Sequence, residues 1–368
     1  MLTKACSEDQ PLSCCCFFFM ALESRQDEEW NISLAGCGFR SVYYLGALTC
    51  IQERAPHLIH GASRIGGASS GCLVAAALTV GLPIEHLCVD VLSVAKEARR
   101  HRLSVFHPTF SLLRTVRDSL REKLPEDAHL RASGRLCVSL TRMSDGKNVL
   151  VSQFDSRDEL IQVLMCSCFF PIYCGFIPPS YRGELFMDGA LSNNMPLFEQ
   201  RNTITMAPFS SESDICPKDT AFTFVSVHCS NLSIQVTTDN VYRICTSFLP
   251  PALEELADIC HSGYVDALRF LRQEGLLGTS CSQAKADSPK LAEGQHQWRE
   301  QKHTENLLLK RVLCAACGDT GHVGAGTSHP LRTLFCLLTP LMLTAEWIFF
   351  LIKSLLVTTT NLIGQWRP

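Results

Sequence analysis

The stretch Arg64-Ile65-Gly66-Gly67-Ala68-Ser69-Ser70-Gly71, running into the apolar Cys72-Leu73-Val74-Ala75-Ala76-Ala77-Leu78, decides how the rest of the chain is read. It contains the pattern G-x-S-x-G. Here a serine occupies a turn so tight that the residues two before and two after it, Gly67 and Gly71, carry no side chain, and the Ser69 hydroxyl projects. Strong helix formers follow, so the bare N–H groups of a helix start point towards Ser69. That geometry suits a nucleophile whose transition state carries negative charge. The competing reading is a glycine-rich turn before a buried helix, and the pattern alone does not separate the two.

On the N-terminal side, Trp30-Asn31-Ile32-Ser33-Leu34-Ala35 reads as a strand of a buried sheet. It runs into Gly36-Cys37-Gly38-Phe39-Arg40-Ser41 and a helix with apolar positions at Val42, Leu45, Leu48 and Ile51. A glycine pair between strand and helix leaves N–H groups bare and close together, a cradle for a phosphate or an oxyanion. A dinucleotide-binding loop is the rival reading. It wants a third glycine where this chain has Ser41, and an acidic residue at the next strand end that is not evident.

On the C-terminal side, Val91 to Arg102 is polar, basic and helical, and a second amphipathic segment ends at Leu124. Arg135 to Met143 and Asn148 to Phe154 flank the turn Ser144-Asp145-Gly146-Lys147, which predicts a hairpin. Ser156-Arg157-Asp158-Glu159 is a capping box opening a helix through Ser167 that stops before Pro171. In Glu184-Leu185-Phe186-Met187-Asp188-Gly189-Ala190, an aspartate at a strand end is by default a turn former. The functional reading makes Asp188 a general base meeting Ser69, with Gly189, Asn193 and Asn194 forming a polar loop behind it. Thr203 to Met206 and Phe222 to Val227 are further strand candidates, and Asp239 to Gly275 is helical with a break at Pro250-Pro251. Strands alternating with helices predict an α/β core.

The 368 residues hold one large domain with appendages or two modest ones, and a net charge of -3 gives no argument for nucleic acid. Many of the 20 cysteines sit inside apolar runs, as reduced thiols do, which predicts a cytosol-facing chain whose sequons at Asn31 and Asn231 carry no meaning. Leu12 to Leu22 is too short to span a bilayer, and Glu8 and Asp9 before it argue against a signal peptide, with Met20 an alternative start. From about Leu276 to Gly326 the composition is that of a flexible linker. Within it, Cys314, Cys317, His322 and His329 have the residue types for zinc but no other support, and no metal or other cofactor is expected. Leu331 to Gly364 is strongly apolar but broken by Pro340, Glu346 and Lys353, which suits a helical hairpin or interfacial anchor better than a straight span; a buried helix of the core is the alternative.

Taken together, the glycine pair, the G-x-S-x-G elbow and the later Asp-Gly-Ala resemble a patatin-like phospholipase domain. Ala35-Gly36-Cys37-Gly38-Phe39, His107-Pro108-Thr109-Phe110, Ser139-Leu140-Thr141-Arg142, Cys174-Gly175-Phe176-Ile177-Pro178-Pro179 and Asp214-Ile215-Cys216-Pro217 are similar to blocks of its adipose triglyceride lipase and adiponutrin group, from about Trp30 to Gly275. The resemblance implies a three-layer αβα core with a mainly parallel central sheet over 30–200 and a strand and helix extension over 201–275. An N-terminal extension, 1–29, would precede it; a linker, 276–330, and a lipid-associating tail, 331–368, would follow. It implies Ser69 as nucleophile, Asp188 as the second member of a Ser–Asp dyad, and Gly36, Cys37 and Gly38 as the oxyanion loop. The implied activity is that of a serine lipase or esterase on acylglycerols or phospholipids, with an acyl-enzyme that passes its chain to water or to another acylglycerol hydroxyl. Its implied setting is the cytoplasmic surface of lipid droplets or membranes, with a protein co-activator as a further partner.

The sequence also departs from that group. Ser41 stands where the family has an oxyanion glycine, Arg40 where the group is apolar, Gly66 where a bulky residue is usual, and Ser70 where the family has alanine. Ser41 puts the loop backbone in question, and Ser70 adds a hydroxyl beside the nucleophile. Both dyad residues persist, so activity is expected. Two rivals remain: a Ser–His–acid hydrolase using His228, and a catalytically weak lipid-droplet scaffold or regulator of another lipase.

Overall fold

Strand β1 (Trp30–Leu34), with Ile32 and Leu34 wholly buried, lies at the heart of the computed structural model, which describes residues 30–100, 111–198, 202–219 and 225–277. It is flanked in parallel by β2 (Arg64–Gly67) and, on its other side, by β7 (Asn202–Met206). β3 (Leu136–Arg142) continues the parallel set beyond β2. Parallel neighbours require crossovers, and these are helical: α1 (Val42–Arg54) between β1 and β2, then α2 (Ser70–Val80), α3 (Ile84–Arg100) and α4 (Leu112–Lys123) between β2 and β3.

Antiparallel strands extend the far edge. β4 (Asn148–Val151) forms the expected hairpin with β3, and β5 (Ser180–Tyr181) pairs with β6 (Glu184–Asp188). β6 then runs antiparallel to β3 with Asp188 opposite Leu140. This register carries an aspartate from a distant part of the chain to the sheet end where the Ser69 turn lies. The fold is therefore α/β with a mixed sheet whose central strands are parallel. Because β7 pairs with β1, the sheet runs past residue 200 into the later part of the chain.

Local signals account for the helix ends. Ser156 Oγ accepts the Glu159 N–H at 3.1 Å at the start of α5 (Arg157–Ser167), as a cap requires. The Glu159 carboxylate reaches back to the Asp155 N–H, one residue before the cap. α3 begins at Ile84, earlier than the polar stretch from Val91 suggests, because Ile84, Cys88, Leu92, Ala95 and Ala98 make one buried stripe. The Pro250-Pro251 break separates α6 (Thr238–Phe248) from α7 (Leu253–Gln273). α7 lies against α1 with backbones in contact. A Cβ on Gly263 would stand 2.0 Å from the Tyr43 carbonyl oxygen, and one on Gly46 1.8 Å from that of Cys260.

The strand expected at Phe222 to Val227 begins outside the described residues and is observed as β8 (Ser226–Cys229), which among the described residues pairs only with β9 (Leu232–Gln235) in a separate hairpin. Its four residues are all exposed, so it is not a strand of the core. The N-terminal extension, the His107-Pro108 block, the Cys314–His329 cluster and the apolar tail lie outside the described residues. Among the described residues, no helix is long and apolar enough to cross a membrane.

Candidate active site

Ser69 sits between β2 and α2 with φ 51° and ψ −133°, a backbone conformation that costs a side-chain-bearing residue roughly 1–3 kcal/mol. The turn survives because its surroundings leave no alternative. α2 starts so close to β1 that a Cβ on Gly71 would lie 2.4 Å from the Leu34 carbonyl oxygen, and one on Gly67 2.7 Å from the Gly71 backbone. The Ser69 N–H donates to Ser167 Oγ at 3.0 Å, and that hydroxyl donates to the Ser139 carbonyl at 2.8 Å, tying the elbow to β3. At Gly66, the Phe198 ring occupies the room a larger residue would need, 2.8 Å from the position of a Cβ.

Asp188 is 2% exposed at the end of β6. Its N–H donates to the Phe169 carbonyl at 2.8 Å and its own carbonyl accepts from Thr141 Oγ1 at 2.7 Å, so the backbone is fixed on both sides. Its Oδ1 accepts the Ala190 N–H at 2.9 Å, and the Ser69 hydroxyl lies near enough to the carboxylate to favour its charged form. Burial raises the carboxyl to about 7, with the hydrogen bonds from Ser69 and Ala190 pulling the other way. The result is a buried carboxyl raised towards neutrality beside a serine hydroxyl, an arrangement of the kind that general-base activation of a nucleophile uses. No histidine is among the described residues lining the surrounding cavity. His228 lies on the exposed strand β8, with its Nε2 facing Glu212 at 3.6 Å.

The oxyanion loop differs from the expected cradle of three bare amides. The Gly36 N–H donates to Asn194 Oδ1 at 2.7 Å, and the Cys37 N–H donates to Ser70 Oγ at 3.1 Å. Among the described residues, no acceptor is seen for the N–H groups of Gly38 and Ser70, both of which line the same cavity as Ser69. Gly38 is at φ +54°, and a Cβ there would lie 2.0 Å from the Ser247 carbonyl oxygen, so only glycine fits. Ser41 is at φ −56° and ψ −20°, an ordinary helical conformation open to any residue, so its replacement of glycine imposes no strain. Burial pushes the Cys37 thiol up to about 11, which keeps it protonated. Arg40, 7% exposed, donates to Thr246 Oγ1 at 2.9 Å; burial and the nearby Arg243 lower it to about 10, so it remains a cation at neutral pH.

The pair opens into a cavity of about 390 Å³. Its walls are largely apolar, including Leu73 and Val74 of α2, Leu113, Val116 and Leu120 of α4, and Phe170 and Phe248. Such a volume and lining suit an apolar chain with one polar reacting end. Three contacts were not legible in advance: Ser167 on the Ser69 amide, Asn194 on Gly36 and Ser70 on Cys37. The polar loop Asn193-Asn194 after β6 was a partial signal for the second.

Comparison with known proteins follows the same stretch of chain. A family model described as patatin-like phospholipase matches residues 32–199. Patatin-like phospholipase domain-containing protein 2 of Rattus norvegicus is 48% identical over 252 residues, covering 68% of this chain and 53% of that protein. A Homo sapiens protein named as a 1-acylglycerol-3-phosphate O-acyltransferase is 43% identical over 247 residues, 67% of this chain and 51% of that one. Patatin-like phospholipase domain-containing protein 5 of Homo sapiens is 38% identical over 359 residues, 90% of this chain and 84% of that one. The chain thus spans about half the length of the first two relatives and most of the third.

Proposed function

The chain belongs to the patatin-like phospholipase family, and from that premise we propose that it is a serine lipid acyl hydrolase working through Ser69 and Asp188. One observation carries the reading: a buried carboxyl, raised to about 7, lies beside the hydroxyl of a serine held on a strained turn, both lining an apolar cavity. In the first step Ser69 Oγ attacks the ester carbonyl carbon while its proton passes to Asp188. The carbonyl oxygen becomes an oxyanion facing the N–H groups of Gly38 and Ser70. Collapse expels the alcohol, which leaves with the proton held by Asp188, and the acyl chain stays on Ser69. Water then attacks the acyl-enzyme while Asp188 takes its proton, and collapse breaks the bond to Ser69 Oγ, which recovers that proton from Asp188 as the fatty acid is released.

An acylglycerol hydroxyl can replace water in the second half-reaction, turning hydrolysis into acyl transfer. The relative named as an acyltransferase supports keeping this branch. Substrates on this reading are acylglycerols or phospholipids presented at a lipid droplet or membrane surface, which the apolar segment 331–368 would help to reach. Removing the chain after Gly326 then releases the protein from lipid vesicles while sparing turnover of soluble short-chain esters; undiminished vesicle binding contradicts that part. The chemistry is tested by product analysis of trioleoylglycerol and of phosphatidylcholine, each with and without a monoacylglycerol acceptor, using the purified parent and Ser69→Ala. Ser69-dependent release of fatty acid or formation of a new acylglycerol is expected; equal products from both proteins refute it.

A further inference from the structure

We propose that the Ser70 side chain is a displaceable plug on the oxyanion loop, holding the Cys37 N–H in the resting protein and leaving it free for the oxyanion once it rotates. The proposal rests on the Ser69–Asp188 reading and adds a residue that limits its rate. The geometry is specific. Ser70 Oγ accepts the Cys37 N–H at 3.1 Å, and its other polar contact is the Cys37 thiol at 3.6 Å. Ser70 is only half-buried, so its hydroxyl is held by one neutral hydrogen bond and one weak contact with sulfur.

Its neighbour on the loop is held differently. Gly36 donates to Asn194 at 2.7 Å, and Asn194 is anchored in turn by its own N–H on the Ser230 carbonyl at 2.7 Å. The Gly36 amide is therefore committed to shaping the loop, whereas the Cys37 amide is released by a single side-chain rotation of Ser70. The backbone of Ser70 need not move, because it begins α2 directly after the fixed Ser69 turn.

The direction of the effect follows from acceptor strength. An oxyanion draws an N–H more strongly than a neutral hydroxyl does, so as charge develops the Cys37 amide gains by exchanging Ser70 for substrate. Until that exchange the hydroxyl competes with the reacting carbonyl for the same donor. Ser70 is thus a positioning residue that acts through Cys37. Removing its hydroxyl presents three amides at once in place of two.

The test is steady-state hydrolysis of p-nitrophenyl butyrate by the full chain as parent, Ser70→Ala, Ser70→Thr and Ser69→Ala. Binding of an alkyl trifluoromethyl ketone, whose adduct carries an oxyanion, is measured alongside. Loss of one oxyanion donor typically costs about 100-fold or more, and a third donor added to two returns part of that, so Ser70→Ala should show kcat about tenfold above Ser70→Thr. KM should stay level between the two while the ketone binds Ser70→Ala more tightly by a similar factor, a split that a merely structural change does not produce. Should Ser70→Ala fail to fold, Ser70→Gly exposes the same amide and is read in the same way. Equal or lower kcat in Ser70→Ala, with Ser69→Ala inactive, overturns the plug and leaves the dyad standing. Full activity in Ser69→Ala overturns both.

Discussion

Replacing Asp188 by asparagine should abolish turnover and make the protein more stable, and the stability gain should grow with pH. Burial moves this carboxyl from 3.8 to about 7. Because the folded-state value lies above the unfolded one, the folded carboxyl keeps a proton that the unfolded chain has already released. Stability is therefore lost as pH climbs from about 4 through about 7, reaching a cost of about 4 kcal/mol at pH 8 at roughly 1.36 kcal/mol per pH unit. At pH 5 the same reasoning gives a cost of only about 2 kcal/mol. Asparagine has the same shape, keeps an oxygen for the Ala190 N–H, and carries no charge to desolvate. Urea unfolding of parent and Asp188→Asn at both pH values measures the difference, with ester turnover followed in parallel. The variant should gain about 4 kcal/mol at pH 8 and about 2 kcal/mol at pH 5, and should lose at least about 100-fold in kcat. A gain that is the same at both pH values, or a variant with parent-like turnover, would refute the assignment of Asp188 as a buried base.

Three further outcomes follow from the packing. His228→Ala should keep ester turnover within about twofold of the parent, since an exposed hairpin residue away from the cavity has no part in a two-residue mechanism; a large loss in kcat would revive a histidine-dependent triad. Gly263→Ala should destabilise the fold by about 3 kcal/mol, because its methyl group would meet the Tyr43 carbonyl and push α7 off α1; an unshifted thermal melt would contradict that close crossing. Ser167→Ala should cost about 1–3 kcal/mol and lower kcat, because the Ser69 amide loses its acceptor and the strained turn loses its tie to β3; unchanged unfolding and kinetics would show that the tie is dispensable.

What the sequence disclosed and what it withheld divide along chain separation. The elbow, the glycine pair and the capped start of α5 are local devices, each specified by residues a few positions apart, and each is found where the spacing puts it. Asp188 was ambiguous as a sequence feature because Asp-Gly after a strand is ordinary turn chemistry; it becomes a candidate base only through the register that sets it opposite Leu140 on β3. Occupancy of the loop amides was out of reach. It depends on Asn194 meeting Gly36 from 158 residues away, and on Ser70 meeting Cys37 from 33. The concern over Ser41 was a backbone question that only φ could answer, and its value is unremarkable for serine. Where the strand candidate at Phe222 to Val227 would lie relative to the sheet was not legible: an apolar run suggests a strand but not its partners, and Val227 stands 55% exposed in a separate hairpin. Gly46 and Gly263 gave no signal at all, since each is needed only because the other's helix lies against it.

The account turns on a proton shared between Ser69 and Asp188, and the rate at which a fluorophosphonate labels Ser69 as pH is varied tests it most directly. Labelling located by peptide mass spectrometry should fall on Ser69, rise with an apparent pKa near the carboxyl's value of about 7, and vanish in Asp188→Asn. Labelling of another serine, or a rate at Ser69 that ignores both pH and the loss of the carboxylate, would contradict it.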